Sequence, residues 1–196
     1  MRRAAAGLVL AAMELCAGER APVTVFFAFE QEPPAVVFDA MRAEIQRLYS
    51  AVPLKFDWIR MQEAPEAGVL GEIVSVRFHG NCSLGGVPPL PDERGTLAWT
   101  SVTDGIVQPF SEVNCDRVRA AVYLALWGGE RKRAQERLGV ALGRVVAHEA
   151  YHIYWRTLKH AAGGVARHSL MPAELVAEKA DLHPEDRAAQ PKDQRD

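Results

Sequence analysis

The chain has no marked excess of charge of either sign. Its 23 basic and 25 acidic residues give a formal net charge of −2, and its isoelectric point is near 6.3. Proteins that bind nucleic acids usually carry a strongly basic face or stripe. We therefore expect no nucleic-acid partner.

Long hydrophobic runs are also missing. The apolar run at residues 4–12 is too short to span a bilayer as a helix, and no later run reaches that length. Arg2 and Arg3 precede this run and small residues follow it at 16–18, which is typical of a secretory signal peptide. We expect residues 1–20 to be removed during export and the mature protein to be secreted or periplasmic, without stable membrane insertion. Glu14 follows closely after the run and weakens the signal-peptide pattern, and an ordinary buried N-terminal segment is the alternative.

Cysteine is scarce, with only three in 196 residues. Cys16 lies in the presumed signal peptide, which leaves Cys82 and Cys115 in the mature chain. An even pair of cysteines in an exported protein favours a disulfide. Two free, buried cysteines are the alternative.

The remaining sequence contains no internal repeat or low-complexity block, and residues 22–180 predict one domain of mixed strands and helices. β-Branched, aromatic or alternating residues predict strands at 22–29, 54–59, 73–78, 96–102 and 105–110. The last two would form a hairpin around Asp104-Gly105. Helical periodicity predicts a helix at 35–49, which would connect the first two strands as a parallel crossover. A further helix is expected at 118–127 with Asp116 as its N-cap, and a loose polar tail at 181–196.

The most informative motif lies in an interval that lacks proline, residues 118–171. It is His148-Glu149-Ala150-Tyr151-His152, which reads H-E-x-x-H. Apolar residues at helical spacing surround it and predict a long helix with the motif in its second half. Because residues four apart lie on the same helical face, His148 and His152 could bind one metal ion, with Glu149 beside them. The alternative is an exposed helix with solvated side chains, which the bulk of Tyr151 and Trp155 disfavours.

The motif and the order of sheet-forming segments before the motif helix resemble the zincin-type metalloproteases, in particular the metzincin half-domain. The resemblance covers residues 22–175 in element order and is specific only at residues 148–152. It implies an α+β fold in which a twisted mixed sheet of four to five strands packs on the H-E-x-x-H helix. It also implies Zn²⁺ as cofactor and a peptide or protein as substrate.

A catalytic zinc site requires a third protein ligand, and the sequence leaves its identity open. The metzincin extension fails here, because Trp155 and Leu158 stand where that family has its glycine and third histidine. We predict His148, His152 and His160 as the ligands. On a continuous helix His160 would lie about 12 Å beyond His152, so the helix must end near residues 155–158. The alternatives are His168 and, on a second helix begun by Pro172 as in gluzincins, Glu174 with Glu178 on the same face.

The expected activity is that of a zinc metallopeptidase. Glu149 would act as general base on a zinc-activated water and pass its proton to the leaving amine. An edge strand at residues 95–102 could pair with an extended substrate, and Tyr151 or Tyr154 could stabilise the oxyanion. Two alternatives stay open: a binding protein on an inactive zincin scaffold, in which Trp155 crowds the cleft, and a zinc hydrolase of non-peptide amides or esters.

Overall fold

Five strands and four α-helices make up the regular structure of the residues that the computed structural model describes, which are 21–66, 71–85, 95–126 and 133–182. A 3₁₀ helix, Met61–Glu66, follows the second strand. In chain order the elements are β1 (Ala21–Gln31), α1 (Ala35–Leu48), β2 (Leu54–Arg60), β3 (Glu72–Asn81), β4 (Ala98–Thr103), β5 (Ile106–Asn114), α2 (Cys115–Ala125), α3 (Ala134–Tyr154) and α4 (Pro172–Val176). No helix within the described ranges is both long and apolar enough to cross a membrane.

The strands form one mixed sheet in the order β2-β1-β3-β5-β4. β1 is parallel to β2 and β3, β3 is parallel to β5, and β4 is antiparallel to β5. The predicted crossover through α1 is therefore confirmed, as is the α+β class with five strands. Asp104 and Gly105 have φ of 52° and 78°, as a tight hairpin turn between twisted strands requires. Among the described strands β4 lies at an edge.

Two boundaries differ from the predictions at the junction of β5 and α2. β5 continues past residue 110 to Asn114, because residues 110–114 pair in parallel with residues 75–79 of β3. The prediction of Asp116 as N-cap was wrong: the Asn114 side chain accepts a hydrogen bond from Arg117 N at 3.0 Å and caps α2. Asp116 instead accepts a hydrogen bond from Asn81 N at 3.4 Å. The helix thus starts as soon as the strand ends.

The predicted signal peptide and most of the predicted tail, residues 1–20 and 183–196, lie outside the described residues. The packed region extends at least to Leu182, which is fully buried. The carbonyl of Asp181 accepts a hydrogen bond from Val165 N at 2.9 Å.

Helix α3 lies at the centre of the core, against the inner face of the sheet and against α1. On the sheet side Ala150 and Ile153 pack near Val23 and Val74 of the inner face. On the other side α1 approaches α3 closely at two glycines. A Cβ at Gly139 would lie 2.4 Å from the carbonyl oxygen of Val37, and one at Gly143 would lie 2.8 Å from that of Met41. Glycine is therefore required at 139 and 143 for the motif helix to pack this closely against α1.

A buried arginine connects α3 to the elements on both of its sides. Arg144 is 1% exposed and donates to Glu44 Oε1 of α1 at 2.8 Å, and to the carbonyls of Glu174 and Ala177 at 2.5 and 2.6 Å. Burial disfavours the charged form of Glu44, but hydrogen bonds from Arg47 and Arg144 outweigh it and lower its pKa. Arg144 thereby holds α4 and the chain around it onto the motif helix.

The predicted disulfide between Cys82 and Cys115 is confirmed, with the two Cα atoms 4.9 Å apart. It joins the residue after β3 to the first residue of α2. The N-terminal end of α2 is therefore attached covalently to the sheet.

Replacing Arg144 tests this anchoring. We expect Arg144→Met to lower the free energy of unfolding by about 3–5 kcal/mol, because the buried carboxylate of Glu44 loses the more buried of its two arginine partners and two carbonyls lose their donor. Arg47→Met is the matched control: Arg47 also pairs with Glu44 but its side chain is 44% exposed, so its loss should cost about 1 kcal/mol or less. Urea unfolding of both variants measures the difference, and equal losses would contradict the role of Arg144.

Candidate metal centre

His148 and His152 lie on successive turns of α3, with their ring planes at 71° to each other and the ring centroids 4.9 Å apart. Their Nε2 atoms are 3.2 Å apart. The other ring nitrogens bond to backbone: His148 Nδ1 lies 2.8 Å from the carbonyl of Val165, and His152 Nδ1 lies 2.7 Å from that of Thr157. Glu149 and His152 are buried, at 6% and 8% exposure, so the alternative of a solvated motif is wrong.

These hydrogen bonds fix the tautomer of both rings. A carbonyl can only accept, so each Nδ1 carries the proton and each Nε2 of a neutral ring presents a lone pair. Burial lowers the pKa of both histidines and favours the neutral form. Two nitrogens at about 2.0–2.1 Å from a tetrahedral zinc lie roughly 3.3–3.4 Å apart. The observed 3.2 Å between the Nε2 atoms fits this donor geometry.

The chain reverses directly after α3, which brings further residues back to the motif. Arg156 has φ of 46°. Arg156 N bonds to the carbonyl of Ile153 at 3.2 Å, and Thr157 N to that of His152 at 3.1 Å. This pair of bonds around a left-handed residue is the Schellman arrangement of a helix end. The expected end of the helix near residues 155–158 is confirmed. The turn also places the Thr157 carbonyl within hydrogen-bonding distance of His152 Nδ1.

His160 reaches the two motif imidazoles after this reversal. Its ring centroid lies 5.2 Å from that of His148 and 4.8 Å from that of His152. One possible ligand atom from each of the three residues lies within 4.8 Å of the others. Burial, followed by the charges of His152 and His168, lowers the pKa of His160. The three predicted ligands are therefore together.

The other candidates for the third ligand are placed differently. The His168 ring lies 4.8 Å from that of His160 but does not belong to the three-histidine group. Glu174 is occupied by other partners: it accepts a hydrogen bond from Met171 N at 2.7 Å, at the start of α4, and pairs with Arg167. The predicted shared face of Glu174 and Glu178 is wrong, because α4 ends at Val176.

Glu149 points toward the edge strand. Its Oε2 accepts a hydrogen bond from Thr100 Oγ1 of β4 at 2.6 Å. Burial raises the pKa of Glu149, while the hydrogen bond from Thr100 and the charge of His152 oppose that rise. Sequence reasoning missed Thr100, since nothing in the local pattern links residues 49 positions apart.

The histidines and Glu149 open into a cleft of about 660 Å³ between α3, β4 and α2. Its apolar lining includes Leu97, Ala98, Ala120, Ala121, Leu124 and Val145. The contribution of α2 to this wall was not predicted.

Trp155 does not line the cleft and is instead buried against Tyr49 and Tyr151, so the crowding of the cleft by Trp155, which the alternative of an inactive scaffold assumed, is wrong. Tyr151 and Tyr154 do not line it either, which argues against their predicted role at an oxyanion.

No known family model matches the chain, and no curated protein matches it. The chemical interpretation of this cleft therefore depends on its own geometry.

The assignment of the third ligand can be tested by zinc affinity. We expect His160→Ala to weaken zinc binding by at least ~100-fold, because even residues that only support ligands cost 10–100-fold when they are lost. His168→Ala is the matched control, a neighbouring exposed imidazole outside the group, and should change affinity by less than about threefold. Competition with a chelator measures both, and the reverse order of effects would assign the ligand to His168.

The pH dependence of zinc binding follows from the lowered pKa values. Protons compete with the metal for each Nε2, so affinity should fall as the pH drops. Because the pKa of each of the three imidazoles lies below the ordinary 6.5, this loss should begin at a lower pH than for exposed histidines. Chelator competition across the acid range checks this. Loss of zinc already above about pH 7 would contradict the expected ligands.

Proposed function

We propose that this chain is an exported zinc metallopeptidase. The observation that carries the proposal is the convergence of three imidazoles, from His148, His152 and His160, beside a buried carboxylate at the base of an open cleft. Three neutral imidazole nitrogens are one of the donor sets of catalytic zinc sites, which keep a fourth position for water or substrate. A bound zinc ion supplies Lewis acidity, which lowers the pKa of water and polarises a carbonyl group.

The protein's own contribution is to hold and move a proton. Glu149 lies next to His148 in sequence and lines the same cleft. Its pKa is raised by burial, which brings a carboxylate closer to the range in which a general base works near neutral pH. Glu149 accepts a proton from the attacking water and transfers it to the leaving amine of the substrate.

The edge strand favours a peptide over a small amide or ester as the substrate. β4 pairs with β5 on one side only among the described strands, and residues 98–100 line the cleft beside Glu149. An extended peptide could add to this edge through backbone hydrogen bonds. Hydrolysis of non-peptide amides or esters remains the second candidate. The cleft is open at the three histidines, which supports an active enzyme over an inactive scaffold.

Export is supported by the disulfide between Cys82 and Cys115. Disulfides persist in oxidising compartments and are rare in the cytosol. The proposed route is the signal peptide at residues 1–20, and the proposed location is secreted or periplasmic.

Glu149→Gln tests the catalytic proposal. Because the amide cannot take up the proton, we expect turnover of a peptide library to fall by about 10²–10⁴-fold, with the zinc content unchanged. Glu174→Gln is the control: it alters a carboxylate that was considered as a third ligand and that lies at the start of α4, and it should leave turnover within about threefold. Unchanged hydrolysis in Glu149→Gln, or a wild-type protein without zinc, would overturn the proposal.

Backbone recognition at β4 can be tested with N-methylated peptides. Each methyl group removes one N–H donor, and one hydrogen bond contributes about 0.5–1.5 kcal/mol, so kcat/KM should fall about two- to tenfold for each bond lost. Methylation at the positions flanking the scissile bond should alternate between strong and weak effects, as strand pairing requires. Equal cleavage of all methylated peptides, with faster cleavage of small esters, would favour the non-peptide hydrolase.

A further inference from the structure

Two hydroxyl groups connect the sheet to the carboxylate of Glu149. Thr100 Oγ1 of β4 donates to Glu149 Oε2 at 2.6 Å. The same Oγ1 lies 3.0 Å from Ser111 Oγ of β5, which is the residue paired with Thr100 across the two strands. Ser111 is 2% exposed and Glu149 is 6% exposed, so most of this chain of hydrogen bonds is shielded from solvent.

The direction of the chain follows from its donors and acceptors. An ionised carboxylate only accepts, so the single hydroxyl proton of Thr100 goes to Glu149. The hydrogen bond between Thr100 and Ser111 must then be donated by Ser111. Ser111 is therefore a buried donor that orients the hydroxyl of Thr100. Hydrogen bonds linked in such a chain polarise and strengthen one another.

We propose that Thr100 is a positioning residue for the general base. It occupies Oε2 of Glu149 and leaves Oε1 as the oxygen that takes up the proton. This inference rests on the proposed function, since a general base is needed only if the site is hydrolytic. It goes beyond it by assigning the orientation of the base to a hydroxyl on the strand that borders the cleft.

The placement of Thr100 predicts which kinetic constant changes. Thr100 touches the base through its side chain, whereas a peptide would pair with the backbone of β4. Removing the hydroxyl therefore leaves the backbone edge in place and removes only the hydrogen bonds to Glu149 and Ser111. A residue that only supported the fold would change KM and stability together with kcat, whereas a positioning residue should change kcat and leave KM nearly constant.

Three variants test the proposal through kinetics. Thr100→Val keeps the shape but removes the hydroxyl, and should lower kcat by about ten- to a hundredfold with KM within about twofold, as expected for a hydrogen bond to a charged group. Thr100→Ser keeps the donor and should restore kcat to within about threefold of wild type. Thr103→Val, on the same strand but outside the cleft lining, should match wild type. A kcat for Thr100→Val equal to wild type, or no rescue by serine, overturns the inference.

A readout independent of metal and turnover comes from unfolding of the zinc-free protein. Wild type, Thr100→Val, Glu149→Ala and the double variant form a cycle that isolates the interaction between these two side chains. We expect the shifts in urea midpoint to be non-additive, with Thr100→Val costing less once Glu149 is absent. Additive shifts overturn the inference even if the enzyme is active. If the cycle is non-additive but wild type hydrolyses no substrate, the proposed function fails and the positioning role fails with it.

Discussion

The candidate site depends on the hydrogen bonds that hold two imidazoles to the backbone of the chain that follows α3. His148 and His152 each donate Nδ1–H to a carbonyl, from Val165 and Thr157 respectively. Without these acceptors, neither ring would have a fixed tautomer or orientation. The segment after the helix thus has two effects: it places His160 beside the motif, and it orients the Nε2 atoms of His148 and His152. Both effects depend on the reversal of the chain at Arg156, whose backbone is left-handed.

That segment is in turn held by the core of the protein. Arg144 binds the carbonyls of Glu174 and Ala177, and Val165 N donates to the carbonyl of Asp181. The motif helix that carries Arg144 is fixed by its close approach to α1 at Gly139 and Gly143. Since a displacement of about 1 Å can cost a catalytic site much of its activity, the proposed hydrolysis would depend on such anchoring far from the cleft.

Local patterns in the sequence were sufficient for the strands, the crossover, the hairpin and the motif helix. The periodicity of apolar residues and the turn residues Asp104-Gly105 depend only on neighbours in sequence, so they could be interpreted directly. His148, Glu149 and His152 were found for the same reason. His160 was one of several candidates, because its position depends on the turn at Arg156, a residue with no preference for a left-handed conformation. The helix α2 was predicted, but its contribution to the cleft wall was not, and neither was the contact of Thr100 with Glu149. Both depend on tertiary packing between parts of the chain that are distant in sequence.

An anomalous diffraction map at the zinc edge, from crystals of the protein purified without added metal, would show directly whether the three histidines hold zinc. We predict a single zinc ion bound by the Nε2 atoms of His148 and His152 and by one nitrogen of His160, with Glu149 beside it but not bound to it. A peak elsewhere, a different third ligand, or no zinc in protein that is fully folded would contradict it.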